Sequence, residues 1–145
     1  MTKHAVKTVA IILSLALSIS LFPAAVFADN LSSPYIFMTS ASLSQGSSAG
    51  KICVNYSITG MGRMDSIGVS SIAVYKSNGT LYTTIYGSVA NGLIKTNTMV
   101  ATGSYEISCT AGYSYYCDVT LIASKDGGYD TRTIQTGTVV APSSP

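Results

Sequence analysis

Apolar and polar side chains alternate along most of this chain, and a two-residue period leaves room for strands and little else. Ala41 and Leu43 alternate with Ser40, Ser42 and Ser44 in a first strand. Ile52, Val54, Tyr56 and Ile58 alternate with Lys51, Cys53, Asn55 and Ser57 in a second. Ile67 and Val69, then Ile72 and Val74, define a third strand whose period slips by one at Ser70-Ser71, the mark of a bulge. Asn78-Gly79 suits the positive φ angles of a tight hairpin, so Thr80 to Val89 is read as a fourth strand folding back. A fifth is placed at Leu93 to Val100, and a sixth over Tyr105, Ile107 and Cys109. The seventh runs through Tyr113, Tyr115, Cys117, Val119 and Leu121. Lys125-Asp126-Gly127-Gly128 is a second hairpin turn, and Thr131 to Val140 closes the domain. Seven or eight strands at spacings near ten residues predict an all-β fold, a two-sheet antiparallel β-sandwich.

The amino terminus has a different pattern. Lys3, His4 and Lys7 precede an apolar run from Val9 to Phe22, Pro23 breaks it, and Val26-Phe27-Ala28 offers small or compact side chains to a signal peptidase. This is the composition of a cleavable signal peptide over residues 1–28, leaving a domain over residues 29–145 that begins at Asp29. Fourteen helical residues span only about 21 Å, short of the roughly 30 Å of a bilayer core, so a membrane anchor is disfavoured. Neither a Leu-x-x-Cys before the cleavage point nor a sorting signal in the Ala-Pro-Ser-Ser-Pro tail is evident. The expected product is secreted, extracellular and free of the membrane.

Cleavage removes Lys3, Lys7 and the single histidine, so the whole-chain net charge of +2 falls to zero, six cations against six carboxylates. A neutral domain without a basic run is a poor partner for nucleic acid or for anionic lipid.

Tyr115 lies two residues before Cys117, the spacing of the tyrosine corner on the sixth strand of an immunoglobulin domain. Cys53 precedes Cys117 by 64 residues, a separation usual for the bridge between the two sheets, although the chain has no tryptophan to pack on it. Three stretches, Ile52–Gly60 (ICVNYSITG), Ile67–Gly87 (IGVSSIAVYKSNGTLYTTIYG) and Gly112–Val119 (GYSYYCDV), resemble in their order a family of small secreted proteins of Gram-positive bacteria. That family has an immunoglobulin- or fibronectin-III-like domain of unknown function. The chain departs from its pattern at Leu81 or Tyr82, where a tryptophan is usual, and at Tyr116, where a basic residue follows the corner tyrosine. The resemblance implies fold and export, and it carries over no catalytic residue.

Three cysteines leave at least one unpaired. Spacing favours Cys53 with Cys117, whereas alternation turns Cys53 outward and gives Cys109 and Cys117 the inward parity. Small core thiols are the remaining alternative, and no pairing is assigned.

Catalytic readings fail on missing partners. Gly46-Ser47-Ser48-Ala49-Gly50 matches the Gly-x-Ser-x-Gly elbow, but the mature chain offers no histidine base and no strand-turn-helix setting, so a Ser/Gly turn is expected. Met61-Gly62-Arg63-Met64-Asp65 reads as a solvated loop. Asp126 and Asp130 bracket a Gly-Gly turn but bring too few oxygens for calcium, and no acid pair is set across a cleft. No cofactor or metal is expected, and no enzyme.

Ten tyrosines are the most unusual feature of the composition. Tyrosine gives large contact area at low entropic cost, and it also suits strands. Tyr56, Tyr105 and Tyr115 have core parity, which leaves Tyr86, Tyr116 and Tyr129 as exposed candidates. Tyr129, beside Asp126 and Asp130 on a hairpin, is the expected recognition residue. The leading expectation is a non-catalytic binding module for an extracellular protein or glycan, monomeric or weakly self-associating. The alternative is a structural protein that self-assembles edge to edge in an envelope or matrix, and a secreted toxin or hydrolase is third.

Overall fold

The computed structural model describes residues 33–144; the signal peptide expected over residues 1–28, with cleavage after Ala28, lies outside them. The described chain forms seven strands, β1 (Ile36–Gln45), β2 (Lys51–Lys76), β3 (Leu81–Tyr86), β4 (Ile94–Ser108), β5 (Ser114–Lys125), β6 (Gly128–Gln135) and β7 (Val139–Val140). They belong to one antiparallel sheet with the path β1-β2-β5-β6, from which β3 and β4 branch at β2 and β7 at β5. The described residues contain no helix.

β2 organises the fold. Its first half alternates half-buried and buried positions, Ile52, Val54, Tyr56 and Ile58 pointing inward, as the two-residue period requires. This half is flanked by β1, with Tyr56 opposite Ala41, and by β4, with Tyr56 opposite Gly103. The second half is flanked by β5, with Ile72 opposite Val119, and by β4 and then β3, with Ile72 opposite Ile85. β1 also lies against β5, β6 and β7, so the sheet curls until its two halves share one core. Ile52, Ile58, Ile67, Ile72, Leu121 and Tyr115 are all fully buried there. Burial of side chains this large contributes roughly 1.5–3 kcal/mol each.

Two expected loops are strand. Met61–Asp65 lies inside β2, and the expected fifth and sixth strands are one strand, β4. The reason is long-range pairing. Thr59 opposes Val100 and Met64 opposes Thr98, so residues 60–63 bulge out opposite Met99 while the ladder continues on both sides. Asn97 takes a left-handed φ of 53° at this bend, a conformation that asparagine tolerates better than most residues. The Arg63 guanidinium donates to both the Asn97 carbonyl and its Oδ1 at 3.3 Å, holding the two bent strands together.

The bulge expected at Ser70-Ser71 is present, as a register shift between Val69 and Ser71 against β5. Gly68 beside it is irreplaceable in place: its φ is +152°, and a Cβ there would collide with the Leu93 carbonyl. The hairpin at Ser77-Asn78-Gly79 forms, but only Gly79 takes a positive φ, 88°, with Lys76 N–H donating to the Thr80 carbonyl at 2.9 Å. β3 ends at Tyr86 rather than Val89, because Asn91 turns the chain by accepting from Ser88 N–H and donating to the Tyr86 carbonyl. The closing strand is likewise divided into β6 and β7. Thr136 interrupts it by donating its N–H to the Cys117 carbonyl at 2.8 Å and accepting the Cys117 N–H on Oγ1 at 3.0 Å.

Candidate functional site

The β5–β6 hairpin turns on Asp126 and Gly127, with φ of 52° and 80°, the two positive angles of a type I′ turn. Asp126 N–H donates to Asp65 Oδ2 at 2.8 Å, so the turn is tied to β2 just past its bend. On the other side the Tyr35 ring lies against Gly128, where a Cβ would meet its hydroxyl. Tyr35 in turn accepts the Met61 N–H on its carbonyl at 2.8 Å. The expected recognition hairpin is therefore braced from two sides.

The three expected recognition residues do not converge. Tyr129 opposes Ser124 on the outward face and is 68% exposed. Asp130 opposes the buried Ala123, so its side chain leaves the strand on the other side, and its Oδ1 accepts the Thr131 N–H at 2.9 Å. Asp126 occupies the turn itself. Among the described residues no group of three or more His, Cys, Asp or Glu side chains is placed to hold a metal ion.

Tyr129 instead shares the outward face with the other tyrosines singled out above. Tyr86 opposes Ser71, which opposes Thr120, which opposes Thr133, and this row crosses four strands on the outward face. Tyr116 is on the same face, four residues along β5 from Thr120, and is half-buried rather than exposed. It stacks on Tyr75 with ring centroids 5.2 Å apart and planes 13° apart. Tyr86, at 74%, is the most exposed of the three. Between them lie short hydroxyl side chains, with Ile122 among them opposite Gly68. Ser66 and Ser124 hydroxyls are 2.6 Å apart, and Thr120 and Thr133 hydroxyls 3.0 Å. Gln135 Nε2 donates to Asp118 Oδ1 at 3.0 Å on the same face.

Sequence reasoning missed three features. Tyr113 lies in the turn before β5 and is largely exposed, at the opposite end of β5 from the hairpin. Tyr82 packs edge-on against buried Tyr115. A corner of exposed apolar residues forms where Met38, Thr59 and Val100 align across three strands, with Phe37, Met61 and Met99 beside them. The bulge between Ile36 and Met38 turns two successive residues outward, which no alternation pattern signals.

All three cysteines are free thiols. Cys53 sits on the outward face of β2 opposite Ser44 and Glu106, and Cys117 is fully buried opposite Val74. Burial pushes the Cys109 thiol up to about 11. Burial, reinforced by neighbouring Cys109 and Asp118, pushes Cys117 to about 12. Both are therefore poor nucleophiles at neutral pH. The Gly46–Gly50 segment forms the turn between β1 and β2, with Ser47 N–H bound to Glu106 Oε1 at 2.7 Å.

No protein-family model, curated protein or solved structure matches this chain.

Proposed function

We propose that the chain is the precursor of an exported, non-catalytic binding module whose domain is a two-sheet sandwich of the immunoglobulin or fibronectin-III kind. The tyrosine corner supports the fold assignment, since Tyr115 is fully buried and its hydroxyl accepts the Thr110 N–H at 3.0 Å. Facing halves of the curled sheet around one core support it too. The basic and apolar pattern of residues 1–28 supports export. The binding reading rests on one observation above all: Tyr129 stands largely exposed on a short hairpin that Asp65 holds in place. An ordered, exposed aromatic on a rigid support is what recognition surfaces use, because little entropy is lost on binding. The partner is an extracellular protein or glycan.

A second reading is a self-assembling structural protein. The outward face of the first sheet half favours it, because Ser42, Asn55 and Ser104 align across β1, β2 and β4, as do Ser40, Ser57 and Thr102. Small uncharged side chains in register leave a flat surface on which a second sheet could stack.

Fractionating producing cells into medium, wall and membrane, with amino-terminal sequencing and size-exclusion of the product, tests both readings. The binding module predicts a monomer beginning at Asp29 that is retained on a wall or cell surface. A chain that keeps residues 1–28 in the membrane, or runs as large species by itself, contradicts it.

A further inference from the structure

We infer that the outward face bounded by Tyr86 and Tyr129 binds a neutral polysaccharide chain laid diagonally across β3, β2, β5 and β6. This rests on the binding-module reading and names its ligand class. Dimensions are the first argument. Three strand spacings of ~4.8 Å separate β3 from β6, and Tyr129 lies four residues of ~3.3 Å along β6 from the row that begins at Tyr86. The two most exposed tyrosines thus stand about 20 Å apart at opposite corners of one face, a span that several sugar rings fill.

Charge is the second argument. Among the described residues Asp118 is the one acidic or basic side chain at the outward positions of β3, β5, β6 and of β2 from Ser66 to Tyr75, and Gln135 already donates to it. The face has no cation to neutralise a phosphate, sulfate or uronate, so an anionic polymer would lose its hydration uncompensated. Apart from Ile122, the path is lined by the hydroxyls of Ser66, Ser71, Thr120, Ser124 and Thr133, which leave an apolar protein surface little to cover. A neutral glycan brings many hydroxyls and an apolar ring face. The hydroxyls exchange with the paired Ser66–Ser124 and Thr120–Thr133 groups, each of which keeps unused hydrogen-bonding capacity. The ring face covers the phenol rings.

Shape is the third. Along β2 the path has no long side chain beneath it, since Gly68 and Ser71 lie there, and Ile122 of β5, opposite Gly68, gives the middle of the path one apolar side chain for a sugar ring face to cover. The bulge at Ser70-Ser71 sets the register that puts Tyr86, Thr120 and Thr133 in one row.

Affinity electrophoresis of the secreted protein tests this, in gels containing a β-glucan, an α-glucan or a galactomannan, with polygalacturonate and heparin gels as charged comparisons. At least one neutral gel is expected to retard the protein, with retardation unchanged by added salt. Tyr86→Ala and Tyr129→Ala should each weaken it about tenfold. Tyr113→Ala, altering an exposed tyrosine at the far end of β5, should not. Retardation by no neutral glycan, only by the charged ones, or equally in all variants overturns the inference. Retention of added protein on cells treated beforehand with protease, beside untreated cells, separates the two claims. Retention abolished by protease identifies a protein ligand and sinks the glycan face while the binding module stands; no retention with or without protease sinks both.

Discussion

Asp65 and Asp126, 61 residues apart in sequence, meet through the 2.8 Å bond from the Asp126 N–H to Asp65 Oδ2, which joins the bend of β2 to the tip of the β5–β6 hairpin. A carboxylate accepting a backbone N–H makes a stronger bond than a neutral acceptor. Asp65→Ala is expected to destabilise the domain by about 1 kcal/mol. The Asp126 amide should then exchange with solvent measurably faster, while core amides of β2 slow or quicken only with global stability. Unchanged exchange at Asp126 would show that the hairpin needs no tether.

The corner tyrosine gives a cleaner energetic test. Tyr115→Phe keeps the ring in the core and removes only the hydroxyl that accepts the Thr110 N–H. Losing this part-buried bond is expected to lower unfolding free energy by about 0.5–1.5 kcal/mol with no change of fold. Denaturant unfolding with a constant slope checks it.

Thiol reactivity should divide the cysteines by face. At pH 8 a thiol reagent is expected to reach Cys53 before Cys109 and Cys117, whose folded values near 11 and 12 keep them protonated. Unfolding should release both. Because their folded values are raised, the stability they contribute is fully present below the ordinary thiol value of about 8.5 and is lost as pH rises toward 11–12. Alkaline unfolding should therefore come at higher pH for a Cys117→Ala variant that remains folded.

Glu106 acts at the acid end. Hydrogen bonds from the Ser47 hydroxyl and N–H, with Lys51 Nζ at 3.6 Å, hold its carboxyl below the ordinary glutamate value. A depressed folded value means stability present above the ordinary glutamate range of about 4.3 and lost as pH falls below it. Glu106→Gln should flatten that part of the stability profile and leave neutral-pH stability nearly unchanged, as expected for an exposed pair.

Much of the fold was legible in the chain because alternation is a local signal. Ile52 to Ile58 and Tyr115 to Ala123 point inward as their parity says. Asp126-Gly127 makes the expected turn, and Tyr115 makes the corner bond. Strand continuity through Met61–Asp65 was not legible. Gly62, Arg63 and Asp65 look like a loop until β4 is set beside them, and that pairing spans more than thirty residues of sequence. The candidate face was half legible. Tyr86, Tyr116 and Tyr129 stand out as tyrosines without core parity, but their common face depends on registers across four strands and on a one-residue slip at Ser70-Ser71. A slip of one position would send any of them to the other side.

The most direct test of the account is a saturation isotherm of the labelled protein on isolated walls of the producing cells, beside its Tyr129→Ala variant. The account predicts a monomer that saturates the surface, an affinity about tenfold weaker on Tyr129→Ala, and no change on Tyr113→Ala. Equal isotherms for the protein and its Tyr129→Ala variant, or uptake that grows without saturation as the chain self-assembles, would contradict it.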